Sequence, residues 1–330
     1  VTVANFAADD AVASRYADDV VTLGETMALM KAETPGPLAH VAALSLGMGG
    51  AESNVAIALR RLGTSVTWAG RVGSDSLGDM VLRELAAEAI NIVATRDDTA
   101  STGLMIKERR TTDALKVWYY RRDSAGSRLC REDVPAAQIA RAKLLHITGI
   151  TPALSASAAD AVSYALDCAQ NSGTLVSFDL NYRSALWSPE EAGEVYRRII
   201  PMADVVFAGD AEAAMAVGDA KDPWELARRI SEMGPSQAVI KLGAEGCVAI
   251  VDGKPYIQQA VPIQAVDTVG AGDAFVAGYI AELLNDQDVP QRLLTAVRTG
   301  AFACLVPGDW EGMPRRIELD LLGSTEPVSR

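Results

Sequence analysis

From Lys143 onward the chain alternates between short apolar runs and amphipathic stretches, and this limits its fold more than any other feature. "KLLHIT" is followed by a helical stretch from Ser155 to Asn171, and "TLVSFDL" by another from Pro189 to Ile200. "DVVFAG", "DPWELARRISEMG", "QAVIKLG", "GCVAIVD" and the closing helices continue the pattern. Brief apolar runs, each returning through a helix, are strands buried on both faces of a parallel sheet. Helix starts are clearly marked. "SPEE" is a capping box with Pro189 at the first helical position, and Asp222-Pro223 opens a helix that Gly234 closes. The pattern predicts an α/β protein in three layers, with a mostly parallel sheet and helices on both faces.

The first half is less regular. "VVTLGETMALM" reads as one strand, "ESNVAIALRRLG" as a helix stopped by Gly63, "SVTWAG" as a buried strand and "SDSLGDMVLRELAAEA" as a helix. Extended runs near residues 31–48 and 97–121 fall outside the alternation, the second including the strand-like "TGLMIKE" and "ALKVWYYR" with a polar turn between them. They are expected to form a small β lid over the ligand edge of the sheet. Residues 1–19 read as an acidic, flexible extension. With no internal repeat or long linker, one domain is expected over residues 1–330.

Several functions are disfavoured early. A net charge of −13 argues against nucleic-acid binding, which needs clustered Lys and Arg. No apolar stretch reaches membrane length, and the opening residues lack a basic region followed by an apolar core. The four cysteines form no CxxC pair and suit a reducing, cytoplasmic setting. With only two histidines, a histidine-built zinc site or a Ser-His-Asp triad is nearly excluded, and His146 in "KLLHITGI" reads as core. Neither GxxxxGK[ST] nor GxGxxG is present.

"AVDTVGAGDAFVAGYIAELL" (Ala265–Leu284) carries the chemistry. A strand end runs into a turn framed by Gly270 and Gly272, an acid at Asp273, and an apolar helix. Bare N–H groups at a helix start suit an anion, and Asp273 stands where a base would be wanted. By itself the turn is equally compatible with an acid that merely complements the helix dipole.

"DTVGAGDAFVAGY" (Asp267–Tyr279) together with "GGAESNVAIALRRLG" (Gly49–Gly63) resembles the ribokinase-like, or PfkB-type, sugar kinases. The resemblance extends over "GRVGSDSLG", the Asn-Tyr-Arg segment and "KLGAEG", from about Val20 to the C-terminus. "YYRRDSAGS", "HITGITPALS", "DLNYRSALWSPEEA" and "GDWEG" are most similar to the branch acting on 2-keto-3-deoxygluconate. Ala51-Glu52-Ser53-Asn54 stands where ribokinase itself carries Lys-Gly-Ala-Asn, which favours the keto-acid branch.

The resemblance implies a ribokinase-like fold, ATP with Mg2+ and optionally a monovalent cation, and a homo-oligomer formed through the β lid. It implies transfer of a phosphoryl group to the terminal hydroxyl of 2-keto-3-deoxygluconate. The alternatives are a fructokinase or other ribokinase-like sugar kinase, or a non-catalytic sugar-acid sensor.

Residue by residue, Gly270, Ala271 and Gly272 would supply N–H donors to the migrating group, and Asp273 would accept the hydroxyl proton. Asp267 is expected to organise the turn or a cation. Gly50, Ala51, Asn54, Met105, Tyr119, Ile150 and Asp309 would hold the sugar, and Arg121 and Arg183 the substrate carboxylate, which an arginine fork matches. Asn181, Lys241, Gly243, Ala244 and Gly246, with Gly270 and Gly272, would border the nucleotide. Glu212 would reach magnesium through water, although Gly209 replaces the asparagine of the family's Asn-x-x-Glu motif and "GDAE" could equally be a first helical turn. Met105 departs from a tyrosine of the keto-acid kinases.

Overall fold

The computed structural model describes residues 18–111 and 115–322. The extension expected over residues 1–19 lies outside them up to residue 17, as does part of the polar turn between the two lid runs. Asp18 and Asp19 are described and anchored: Asp19 accepts from the hydroxyl of Ser65 at 2.9 Å and pairs with Lys143 at 2.8 Å.

The chain opens with β1 (Val20–Leu23), β2 (Met27–Ala32), β3 (Leu44–Gly49), α1 (Ala51–Arg61), β4 (Val66–Gly73), α2 (Ser76–Ala87) and β5 (Asn91–Asp97). Next come β6 (Leu104–Arg109), β7 (Leu115–Tyr120), α3 (Ala136–Ile139), β8 (Leu144–Thr148), α4 (Ile150–Leu154), α5 (Ala156–Ser172) and β9 (Leu175–Asp179). The rest is α6 (Pro189–Ile199), β10 (Val205–Gly209), α7 (Asp210–Val217), α8 (Pro223–Glu232), β11 (Gln237–Lys241), β12 (Cys247–Val251), β13 (Lys254–Gln258), α9 (Ala271–Leu284) and α10 (Val289–Ala303).

Nine strands form one sheet in the order β13-β12-β11-β10-β9-β8-β1-β4-β5, parallel from β5 through to β11 and antiparallel only in its last two pairings. The three-layer expectation holds. One face packs Val20, Trp68, Leu144, Phe207 and Val239 beneath α1, α9 and α10; the other packs Val21, Leu145, Ile147, Phe178 and Ile240 beneath α5, α6 and α8. Neighbours in sequence thus serve opposite cores, as the two-residue strand period requires. His146 is core as expected: its Nδ1 lies 3.1 Å from the Ser177 hydroxyl, and burial pushes the imidazole down to about 3.

Two readings need correction. "VVTLGETMALM" is two strands rather than one. β1 belongs to the large sheet, whereas β2 joins a separate four-stranded sheet of order β3-β2-β6-β7, the expected lid. Gly24, where β1 ends, has no room for a side chain: a Cβ there would lie 2.3 Å from the Glu52 carboxyl carbon. The second correction is β5, an edge strand that the sequence reading did not anticipate.

The chain leaves β1 for β4 and β5 on one side and returns to β8 on the other. The crevice at this reversal, beyond the carboxyl ends of β1 and β8, is where open α/β sheets bind ligands. Glu52 seals its floor by accepting from Thr148 and Thr151 at 2.7 and 2.8 Å. In the lid, Leu29, Met105 and Tyr119 are in cross-strand register, so they share a face.

Candidate active site

The turn before α9 is shaped by close approach. Gly270 has φ 77°, and a Cβ there would sit 1.9 Å from the Asp309 carbonyl oxygen, so only glycine fits. Ala271 donates to Thr268 at 3.3 Å, while the N–H groups of Gly272 and Asp273 meet no acceptor among the described residues. They are the open donors of a helix N-terminus, an arrangement that attracts anions. The Lys241 ammonium adds positive charge 3.7 Å from where a Gly272 Cβ would be.

Asp273 is only 7% exposed. Its Oδ2 accepts from Asn54 Nδ2 at 2.8 Å and its Oδ1 from Asn181 Nδ2 at 3.4 Å. Burial pushes its carboxyl up to about 7, against the opposing pull of the Asn54 hydrogen bond and the Arg183 and Lys241 charges. A carboxylate poised there can take a proton near neutrality. Asn181 is held at φ 43°, a conformation asparagine tolerates better than most residues. Asn54 Oδ1 is buried without a partner, an acceptor suited to a ligand hydroxyl.

Lys241 Nζ meets both oxygens of Asp179, at 2.7 and 2.9 Å. Burial disfavours its ammonium, but Asp179 and Glu212 outweigh that and raise its pKa. Glu212 accepts the N–H of Gly209 at 2.7 Å and of Tyr182 at 2.9 Å, pinning the segment that carries Asn181. It therefore serves as a first-turn helix acid, whatever it also does through water.

Of the residues expected around the sugar, Met105 and Asp309 lie against Gly49, whereas Tyr119 does not join them. A Cβ on Gly49 would meet Asp309 Oδ2 at 2.2 Å and Met105 Cε at 2.6 Å; one on Gly50 would strike the Glu25 carbonyl at 2.4 Å. Ala51 starts α1 beside them, and Ile150 is buried at the start of α4, where its N–H donates to Thr148. Tyr119, Arg121 and Arg183 line a separate cleft of about 540 Å³ with Leu154 and Leu186. Arg183 is exposed, its Nη1 donating to the Tyr182 carbonyl at 3.0 Å. Arg121 is already paired with the buried Glu25, donating from Nε at 2.8 Å.

A second cleft, of about 450 Å³, joins Lys241, Gly243, Ala244, Gly246, Ala271 and Gly272 to an apolar wall that includes Val261, Ile263, Phe275 and Val297. Gly270 and Asn181 do not line it. Its apolar walls suit a planar base, and Ala271 and Gly272 of the glycine turn border it. Sequence reading missed that wall, because these residues look like ordinary core. It also missed Glu25, Asp179 and Lys107, whose only signal was an ionisable residue inside or beside an apolar run.

The profile of the pfkB family carbohydrate kinases matches residues 17–316, and the chain belongs to that family. It is similar to the 2-dehydro-3-deoxygluconokinase of Bacillus subtilis (strain 168), with 37% identity over 91% of this chain and 94% of that protein. It is also similar to the 2-dehydro-3-deoxygalactonokinase of Haloferax volcanii, with 30% identity over 94% and 99% of the two chains. Among solved structures, the PfkB protein from Polaromonas sp. JS666 superposes with a TM-score of 0.84 at 37% identity, over 92% of this chain and 99% of that one. The fructokinase from Xylella fastidiosa, solved with bound ATP, gives 0.80 at 25% identity, over 92% and 98%. The protein is a sugar kinase, a phosphotransferase with an alcohol acceptor.

Proposed function

We propose that this kinase transfers the γ-phosphoryl group of ATP to the terminal primary hydroxyl of 2-keto-3-deoxygluconate, giving the 6-phosphate. The observation that carries the acceptor is Arg183, exposed on the cleft it shares with Arg121 and Tyr119 and near enough to Asp273 for its charge to act on that carboxyl. Guanidinium groups beside an acceptor site match a carboxylate, whereas a neutral hexose needs no such partner. The named relatives support the same class. The test is a coupled ADP-release assay offering 2-keto-3-deoxygluconate, its galactonate-derived epimer and fructose. Preference for fructose would replace this reading with fructokinase.

In this mechanism Asn54 and Asp273 orient the hydroxyl, Asp273 Oδ accepts its proton as the new P–O bond forms, and the open N–H groups of the turn hold the phosphoryl oxygens. Lys241 steadies the same charge. Among the described residues, no three acidic, histidine or cysteine side chains gather as a metal cage. Asp179 is held by Lys241 and Glu212 by two N–H groups, so these acids suit magnesium held chiefly by phosphate and water. Magnesium would supply charge neutralisation between the phosphates.

Leu46, Trp118 and Tyr120 lie exposed on the lid. They support pairing of two lids in a homo-oligomer, which light scattering would detect. Among the described residues, no helix is long and apolar enough to cross a membrane; a cytoplasmic location is our proposal.

A further inference from the structure

Lys107 is 1% exposed, yet it lies on the lid strand β6 rather than on the large sheet. Its ammonium contacts the Asp309 carboxylate and stands 3.5 Å from Asp267 Oδ2. Both acids belong to backbone that shapes the anion-binding turn. Asp267 accepts the N–H groups of Val269 at 3.1 Å and Gly308 at 3.2 Å, fastening the two loops together. The Asp309 carbonyl oxygen fills the space that excludes a side chain from Gly270. Two carboxylates this close and this dry would repel one another without a cation between them.

We propose that Lys107 is a positioning residue, a built-in monovalent cation that sets the Gly270 turn and ties it to the lid. Met105, two residues earlier on the same lid face, lies against Gly49, so one strand touches both the sugar cradle and the phosphoryl-binding turn. The chain supplies the charge, and the enzyme needs no added potassium. This inference rests on the phosphoryl-transfer role of the turn and not on which sugar acid is the acceptor. A cleft of about 360 Å³, lined by Lys107, Asp267, Lys31, Arg109 and Pro307, gives a small cation access once the side chain is shortened.

The test compares wild type, Lys107→Ala and Lys107→Arg in choline, sodium, potassium, ammonium and methylammonium chlorides at constant ionic strength, with any acceptor the enzyme turns over. Wild-type kcat should vary less than about twofold across the salts. Lys107→Ala should lose about a hundredfold in kcat in choline, the scale of a misplaced reacting group, with a smaller change in sugar KM. Ammonium, methylammonium or potassium should restore at least about tenfold of that loss, and Lys107→Arg should remain active without added cation. Thermal melting provides an activity-independent readout: potassium or ammonium should raise the Tm of Lys107→Ala over its value in choline and leave wild type unmoved. Potassium dependence of the wild type would overturn the proposal, as would full activity of Lys107→Ala in choline. So would a Lys107→Ala variant that no small cation rescues in either assay. Failure of the keto-acid reading would appear instead as wild type ignoring 2-keto-3-deoxygluconate in every salt.

Discussion

Asn54 Nδ2 donates to Asp273 Oδ2 at 2.8 Å, joining the first turn of α1 to the first turn of α9 in a buried contact. This hydrogen bond stabilises the charged carboxylate, while burial, the larger influence, works the other way and leaves Asp273 at about 7. The base must be ionised to accept a proton, so kcat/KM should fall as pH drops below about 7. Asn54→Ala removes a stabilising donor, so its acidic limb should move to higher pH. A pH–rate profile of both enzymes checks this; an unmoved limb would mean that another group titrates.

Asp273→Asn should lose roughly 10²–10⁴ in kcat, the scale of a positioned base. It should also be more stable than wild type above neutrality. The folded-state value lies above the ordinary 3.8, so the stability contributed by the protonated carboxyl is fully present below about 3.8 and is lost as pH rises to about 7. The asparagine variant does not lose it, so its advantage should be greatest above pH 7, on the order of 4 kcal/mol, and vanish toward pH 4. Melting curves at pH 4.5 and 8 would reveal it. Near-wild-type turnover would remove Asp273 from the base role.

Arg183 and Arg121 should separate by their surroundings. Arg183 is exposed, so Arg183→Ala should keep its Tm and weaken the keto-acid far more than fructose. Arg121→Ala should do the same and also melt earlier, because the buried Glu25 carboxylate then loses its cation. Breaking such a pair typically costs about 3–5 kcal/mol. Equal damage to both substrates would assign these arginines to ATP or to the fold.

Met105 lies 4% exposed against Gly49 and opposite Tyr119, with no hydroxyl to read a sugar hydroxyl. Wild type should therefore separate the gluconate- and galactonate-derived epimers by less than roughly a hundredfold in kcat/KM, since an apolar wall discriminates weakly. Met105→Tyr should widen the ratio, at about 1–3 kcal/mol of stability from overpacking. A larger wild-type preference would show that another residue reads that hydroxyl.

Local physics made much of this protein legible from residues alone. Ser155, Ser188 and Asp222 cap their helices through hydrogen bonds spanning three residues, a signal that needs no tertiary context. The strand–helix alternation follows from burial on both sheet faces, and the glycine-framed turn before Asp273 from the short reach of a helix N-terminus.

Burial and pairing across distant segments were decided only by the tertiary structure. Apolar residues fill both halves of "VVTLGETMALM", so nothing local says that β1 pairs in the large sheet and β2 in the lid; the strands each half meets, β4 and β8 or β3 and β6, decide that. A lysine in a strand ordinarily reaches water, and Lys107 is drawn inward only because Asp267 and Asp309 arrive from the far end of the chain. The same is true of Glu25 beneath Arg121, and of Val261 and Val297, which would be plain core if the apolar cleft beside Lys241 did not open between their segments. Hydrogen-bonding preference and periodicity act over a few residues and are written in the sequence. A charge or an apolar side chain acquires its role from whatever the fold brings against it.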